Sequence, residues 1–193
     1  MDFFLRELSR EDVPTINTWR NDPALIGMLG AAFRYVSEAV DHKWFEGYLA
    51  NRANAVRLAI CEQKTTALIG AVYLLDIDWV HRSAEFGLWI GDKASQGQGA
   101  GRFATCAMLA HAFQDLNLHR VHLTVHVHNE HAIALYEKSG FLTEGTLRQA
   151  LFKNGQFIDM RCMAILAEDY RRALLVTSEA VYNLASKRSA KTK

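Results

Sequence analysis

Gln96-Gly97-Gln98-Gly99-Ala100-Gly101-Arg102 sits between a β-like run, Ser83 to Ile90, and an apolar run with helical spacing, Gly101 to Leu116. A helix N-terminus exposes unpaired N–H groups and a partial positive charge, so such a junction suits phosphate. The glycines let the backbone take φ > 0 and approach phosphate oxygens, and Arg102 adds a charge-assisted donor in the first turn. Three phosphate-binding motifs compete. A Walker A loop ends Gly-Lys-Ser/Thr, whereas this loop ends Gly101-Arg102-Phe103, so that reading fails. Gly99 to Ala104 satisfies the dinucleotide pattern G-x-G-x-x-A, but that motif needs an acidic residue ending the next strand, where this chain reads Val127-His128-Asn129. The third is Gln/Arg-x-x-Gly-x-Gly/Ala, met by Gln96, Gly99 and Gly101. An ordinary glycine-rich turn before a helix is the alternative to all three.

Downstream, His119 to His128 alternates, with Val121, Leu123, Val125 and Val127 on one face and His122, Thr124, His126 and His128 on the other. Glu130 to Lys138 is a short helix with Gly140 as its C-cap. Phe141 to Leu166 gives two strands joined by a turn at Lys153-Asn154-Gly155-Gln156. Ala167 to Ser186 is a terminal helix before a basic tail, Lys187 to Lys193. Upstream, Phe3 to Leu8 is a strand. Ser9-Arg10-Glu11-Asp12 has capping-box form before a helix to about Asn21, with Pro14 in its first turn and Asn21-Asp22-Pro23 as its stop. A second helix opens near Ser37 and places Val40, Trp44 and Tyr48 at helical spacing. Ala55 to Cys61 and Ala67 to Leu75 form a hairpin, and the helix after the glycine loop sets Phe103, Cys106, Ala110 and Phe113 on one face. Together these predict a mixed α+β fold with mostly antiparallel strands and one strand–loop–helix–strand unit at its centre.

The chain's 193 residues, half of them hydrophobic and 22% charged, suit one globular domain with a modest extension. A formal net charge of +1 points to neither nucleic acid nor a membrane surface as partner. No apolar run is long enough to cross a bilayer. Met1 to Glu7 lacks a basic start followed by a long apolar stretch, so the expected location is cytoplasmic. Cys61, Cys106 and Cys162 are odd in number, far apart and set in apolar stretches, which predicts buried free thiols. His122, His126 and His128 suggest a metal, but residues four apart on a strand stand ~13 Å apart, too far to share one zinc, so no metal is expected.

Leu118 to Leu147 carries a strand, then Asn129-x-x-Ala132-Ile133-x-Leu135-Tyr136-x-Lys138-x-Gly140-Phe141, then Glu144-Gly145. With the glycine loop before it and Asn154 to Asp159 after it, this stretch resembles the GCN5-related N-acetyltransferase (GNAT) superfamily. Within it, the likeness is to the branch of ribosomal-protein N-terminal and spermidine acetyltransferases. It runs from about residue 83 to about residue 166 and is faint before that. The resemblance implies a GNAT fold: a central twisted sheet of about six or seven strands, helices on both faces, and a splay between two central parallel strands. It implies one such domain over residues 1–166, a helix and tail over 167–193, and acetyl-CoA as acetyl donor. Gly91-Asp92-Lys93-Ala94-Ser95 departs from the branch in lacking a proline, which leaves the path of that loop open.

The resemblance also assigns roles. Backbone amides of Gln96, Gly97, Gln98, Gly99, Ala100, Gly101 and Arg102 would hold the coenzyme A diphosphate. Leu88, Trp89 and Ile90 would pair with the pantetheine arm like an added strand. Asn129, a good N-cap, would also bond the pantetheine. Lys138 would reach the phosphates or stand as a solvated helix lysine. Tyr136 occupies the position of the family's general acid for the thiolate, the alternative being packing against the coenzyme with no proton role. Glu85 would take the amine's proton or orient a cationic substrate. Otherwise it is a surface carboxylate paired with Arg82 or Lys93.

The acceptor site falls to the N-terminal half. Leu25 to Tyr35 is apolar for a surface loop, which fits a lid over the acceptor or contact with a second subunit of a homodimer. Asp76, Asp78 and Glu85 supply part of a polyamine site, whereas Trp19-Arg20-Asn21 with Trp79 suit an amino sugar nucleotide. The expected acceptor is the primary amine of a small molecule or amino sugar. The alternatives are a protein N-terminus, a polyamine, or a non-catalytic acyl-CoA-binding module.

Overall fold

The computed structural model of the chain describes residues 2–174. The strands are β1 (Phe3–Glu7), β2 (Val56–Glu62), β3 (Leu68–Asp78), β4 (Ser83–Ile90), β5 (Arg120–His126), β6 (Leu142–Lys153) and β7 (Gln156–Leu166). They form one sheet in the order β1-β2-β3-β4-β5-β7-β6. Its neighbours are antiparallel except β4 and β5, which run parallel. The helices are α1 (Val13–Arg20), α2 (Pro23–Gly27), α3 (Glu38–Ala50), α4 (Ala100–Ala110) and α5 (Glu130–Lys138).

The parallel pair positions everything that follows. β4 and β5 are in register only over Ser83↔Arg120, Ala84↔Val121 and Glu85↔His122. Beyond Glu85, β4 stays on β3 as far as Ile90↔Gly70, while β5 stays on β7 as far as His126↔Met160. The two strands therefore part, and Phe86 to Ile90 present an edge unpaired with β5. Backbone N–H and C=O groups on such an edge need partners, which a ligand can supply.

Each face of the sheet has its own core. Ala84 and Phe86 of β4 with Val121, Leu123 and Val125 of β5 pack under α4 and α5, against Ala104, Met108, Ile133 and Tyr136. On the other face, Ala59, Ala71 and Trp89 meet Val13 and Ile16 of α1 and Phe45 and Tyr48 of α3. Alternation along each strand divides the apolar side chains between the two faces.

The capping box forms at Ser9 and Asp12, but around a 3-10 turn, Arg10–Asp12, that hands over to α1. Asp12 accepts from Arg6 through both carboxylate oxygens at 2.7 Å and from the Ser9 amide at 2.8 Å. Burial pushes the Asp12 carboxyl up, and the Arg6 and Ser9 bonds outweigh it, so the net shift is below its ordinary value of 3.8. Asn154 (φ 49°) and Gly155 (φ 78°) make the two-residue turn between β6 and β7, with Lys153 paired to Gln156. Positive φ at both central residues matches the strands' twist.

Several expectations are corrected. The core stripe of α3 is Asp41, Phe45 and Tyr48, with Val40 exposed. Asp41 faces inward because it receives Arg20 and Asn17. The buried face of α4 carries Ala100, Ala104, Thr105, Met108 and Leu109. Phe103 is 36% exposed and lies on Phe3 of β1, and Cys106 is exposed rather than a buried thiol. Small residues at 100 and 104 let the helix approach the sheet, which a Phe103 face would prevent. β5 stops at His126, not His128. There the Asn129 amide turns back to the His126 carbonyl, which frees Asn129 to cap α5. Of the terminal helix expected over Ala167 to Ser186, residues 167–174 are helical and the rest lies outside the described residues.

Candidate active site

The glycine loop is built by two devices. Asp92 caps a 3-10 turn, Lys93–Ser95, accepting from the Ser95 amide at 3.0 Å and its hydroxyl at 2.5 Å. The amides of Gly91 and Asp92 both donate to Ile69, at 2.9 and 3.0 Å. This sets the path of the loop without a proline. Gly99 then caps α4 at φ 92°, a left-handed conformation that costs side-chain-bearing residues about 1–2 kcal/mol. The first amides of α4 are left without partners inside the helix.

A cavity of about 510 Å³ opens beside this loop. Its walls include Leu88, Trp89 and Ile90 of the free β4 edge, Gln96, Gly97, Gly99, Gly101 and Arg102 of the loop and helix start, and Asn129, Tyr136 and Lys138 of α5. Thus ten of the twelve positions expected to hold the coenzyme line one space, together with Tyr136. Ala100 is instead buried in the core, and Gln98 turns toward a crevice against Phe3 and Phe103. The Gln96 side chain donates to the Ile90 carbonyl at 3.0 Å, tying the loop to the β4 edge.

A second cavity, about 480 Å³, lies across the splay on the α1 and α3 face. Glu85, Arg20, Arg57, Tyr73, Trp44 and His126 line it. Both cavities share Met28, Leu29, Leu88, Trp89, Asn129, Ala132 and Tyr136. Tyr136 therefore sits in the wall between them. Its ring packs edge-on to Phe86 at 6.0 Å and against Phe141 at 5.7 Å, and burial alone pushes its phenol up to about 12.

Glu85 is half-buried on β4, and neither expected partner holds it among the described residues. Lys93 pairs with Asp22 at 2.9 Å, and Arg82 makes no ion pair with it. His126 is held below its ordinary value of 6.5 by burial, His128 and Lys153. Of the other acceptor candidates, Asp78 caps its own turn, accepting from Val80 and His81. Trp79 donates to Ala53 at 3.0 Å. Neither these nor Asp76 line the second cavity, because β3 carries them past its rim. Trp19 packs on Trp89, and Asn21 bonds Val36.

The 25–35 segment covers the junction. Asp22 caps α2, and Asn129 reaches from α5 to the Met28 carbonyl at 3.3 Å. Lys153 lies buried at the tip of the β6–β7 hairpin, where its ammonium bonds the carbonyls of Ile26, Gly27 and Leu29. A cation on the last carbonyls of a helix is favourable, and here it holds the cover in place. Sequence reading passed over Lys153 because a lysine before Asn-Gly reads as a turn residue. Arg57 was missed for a similar reason: among apolar strand neighbours it reads as solvent-facing.

An unpaired strand edge, a glycine-opened helix N-terminus and a buried phenol thus surround two adjoining cavities. Residues 2–142 match the acetyltransferase (GNAT) domain, and the chain belongs to that family. It is 41% identical over 117 residues to the spermidine N(1)-acetyltransferase of Vibrio cholerae, covering 61% of this chain and 67% of that protein. It is 33% identical over 101 residues to the ribosomal-protein-serine acetyltransferase of Escherichia coli, covering 52% and 56%. A crystal structure of the V. cholerae spermidine N-acetyltransferase in complex with CoA and spermine superposes with a TM-score of 0.82 at 32% identity, over 87% of this chain and 97% of that one. Among the described residues no helix is long and apolar enough to cross a membrane.

Proposed function

We propose that this enzyme transfers the acetyl group of acetyl-CoA directly to the primary amine of a small molecule, with the thioester carbonyl at the wall where the two cavities meet. The observation that carries the reading is Tyr136 lining both cavities. The coenzyme's diphosphate rests on the amides from Gly97 to Arg102, and its pantetheine runs along Leu88 to Ile90 as an added strand. Asn129 and Lys138 contact the coenzyme from α5.

Glu85 accepts a proton from the incoming ammonium. The freed amine attacks the thioester carbon, the tetrahedral adduct collapses, and the carbon–sulfur bond breaks. The Tyr136 hydroxyl donates its proton to the departing thiolate, and the proton still carried by the attacking nitrogen passes to the resulting phenolate, leaving a neutral amide and a restored phenol. Excluding water from the junction strengthens each of these contacts.

The test is thiol release from acetyl-CoA with a panel of amines, alongside calorimetric acetyl-CoA binding. Amine-dependent release is expected. Tight binding with no release for any amine supports a non-catalytic binding module instead. Glu85→Gln should lower kcat/KM by ~10²-fold and remove the acidic limb of the pH–rate profile. An unchanged profile removes Glu85 as the base. A polyamine acceptor is the second reading, favoured by the named activity of the V. cholerae relative.

A further inference from the structure

Arg57 enters the acceptor cavity as a cation with no ion-pair partner among the described residues. Its guanidinium stacks on Trp44 and Tyr73, each 5.0 Å to the ring centre, and on Tyr48 at 5.6 Å. Its Nε is buried and without a hydrogen-bond partner. Among the described residues no carboxylate pairs with it within 4.0 Å, and Asp76 acts on it only at longer range. Burial draws its pKa below the ordinary value, against the opposing pull of Tyr73 and Tyr48. Aromatic stacking offsets only part of the cost of desolvating a guanidinium. Arg20 differs, because its charge is answered by the buried carboxylate of Asp41.

The sheet register fixes where this lone cation stands. Arg57 pairs with Tyr73, and Tyr73 pairs with Gly87, so the three form one row across β2, β3 and β4. Glu85 lies two residues along β4 from Gly87, on the same face. Strand spacing and rise put the Arg57 and Glu85 Cα atoms on the order of 12 Å apart. Both side chains line the cavity between them, and Gly87 leaves its floor free of a side chain. The cavity thus carries a carboxylate at Glu85 and, about this distance away, a guanidinium that no carboxylate reaches within 4.0 Å among the described residues.

We infer that the acceptor is a zwitterion, a primary amine met by Glu85 and, at its far end, an anionic group, carboxylate or phosphate, received by Arg57. A polyamine would set a second ammonium against Arg57, with Glu85 as the one carboxylate lining the cavity among the described residues. The inference rests on the acetyl-transfer reading and narrows its substrate class.

Initial rates of thiol release decide it, using four amines of similar length: an ω-amino carboxylate, an amino phosphate, an uncharged amino alcohol and spermidine. In the unmodified enzyme, kcat/KM for at least one anionic amine should exceed that for the amino alcohol by ~10- to 10²-fold. Whichever anion is preferred identifies carboxylate or phosphate. Arg57→Gln should collapse that ratio toward one, and Arg57→Lys should restore part of it. Equal acetyl-CoA affinity by calorimetry shows that the variants are folded, and the unmodified enzyme's preference decides the matter if they are not. Spermidine or the amino alcohol used as well as both anions overturns the proposal, as does a ratio unmoved by Arg57→Gln in a folded variant. Release that shows no anion preference refutes this inference alone. Absence of release with every amine refutes acetyl transfer and this inference with it.

Discussion

Replacing Tyr136 by phenylalanine removes one oxygen from the wall between the two cavities and leaves the ring contacts with Phe86 and Phe141 in place. Burial pushes the phenol up to about 12, so the hydroxyl keeps its proton at neutral pH and has one to give. Losing a positioned acid of this kind costs about 10²- to 10⁴-fold in turnover, or ~3 to 5 kcal/mol of transition-state stabilisation. Folding stability should change by less than about 1 kcal/mol, because no buried partner is orphaned. Stopped and steady-state thiol release gives kcat, calorimetry gives acetyl-CoA affinity, and thermal unfolding gives stability. The expected result is a large fall in kcat with affinity and stability nearly intact. Turnover within a factor of two of the unmodified enzyme, roughly the noise of such rates, would refute the acid role and leave Tyr136 as packing.

Gly99→Ala places a methyl group in open space but holds alanine at φ 92°, so the strain acts on the loop rather than through a clash. Acetyl-CoA should bind roughly tenfold more weakly by calorimetry, with the fold retained. Lys153→Met unties the hairpin from the carbonyls of Ile26, Gly27 and Leu29. It should lower stability by about 1–3 kcal/mol and raise the KM for the amine, measured by thermal unfolding and initial rates. Asp12 is held below its ordinary carboxyl value, so its contribution is complete above about pH 4 and disappears as pH falls through the folded-state value. Acid unfolding of Asp12→Ala should therefore show a smaller loss of stability over that window than the unmodified chain, which equilibrium unfolding at a series of pH values would reveal.

The donor side was legible because its signals are local. Glycines at 97, 99 and 101 between a strand and a helix mark the loop that opens α4 wherever the sheet lies, and Asn129 to Phe141 names its own helix, cap and phenol. The acceptor side was not, because its walls come from α1, α2, α3, β2, β3, β4 and β5 at once. Helical spacing allowed two phases for α3. Asp41 won over Val40 through its buried bonds to Arg20 and Asn17, a tertiary fact that no local pattern contains. The same ambiguity misplaced the face of α4, where small size at Ala100 and Ala104 outweighed the larger apolar bulk of Phe103. Asp76 and Asp78 were expected as carboxylates for a polyamine and Trp79 as a ring for an amino sugar, but they stand at and just past the end of β3 and do not line the cavity.

A crystal structure with coenzyme A bound tests the central claim most directly. The account predicts the diphosphate on the amides between Gly97 and Arg102, the pantetheine beside Leu88 to Ile90, and the sulfur within ~3 Å to 3.5 Å of the Tyr136 hydroxyl. A diphosphate bound away from the start of α4, or a sulfur turned from Tyr136, would contradict it.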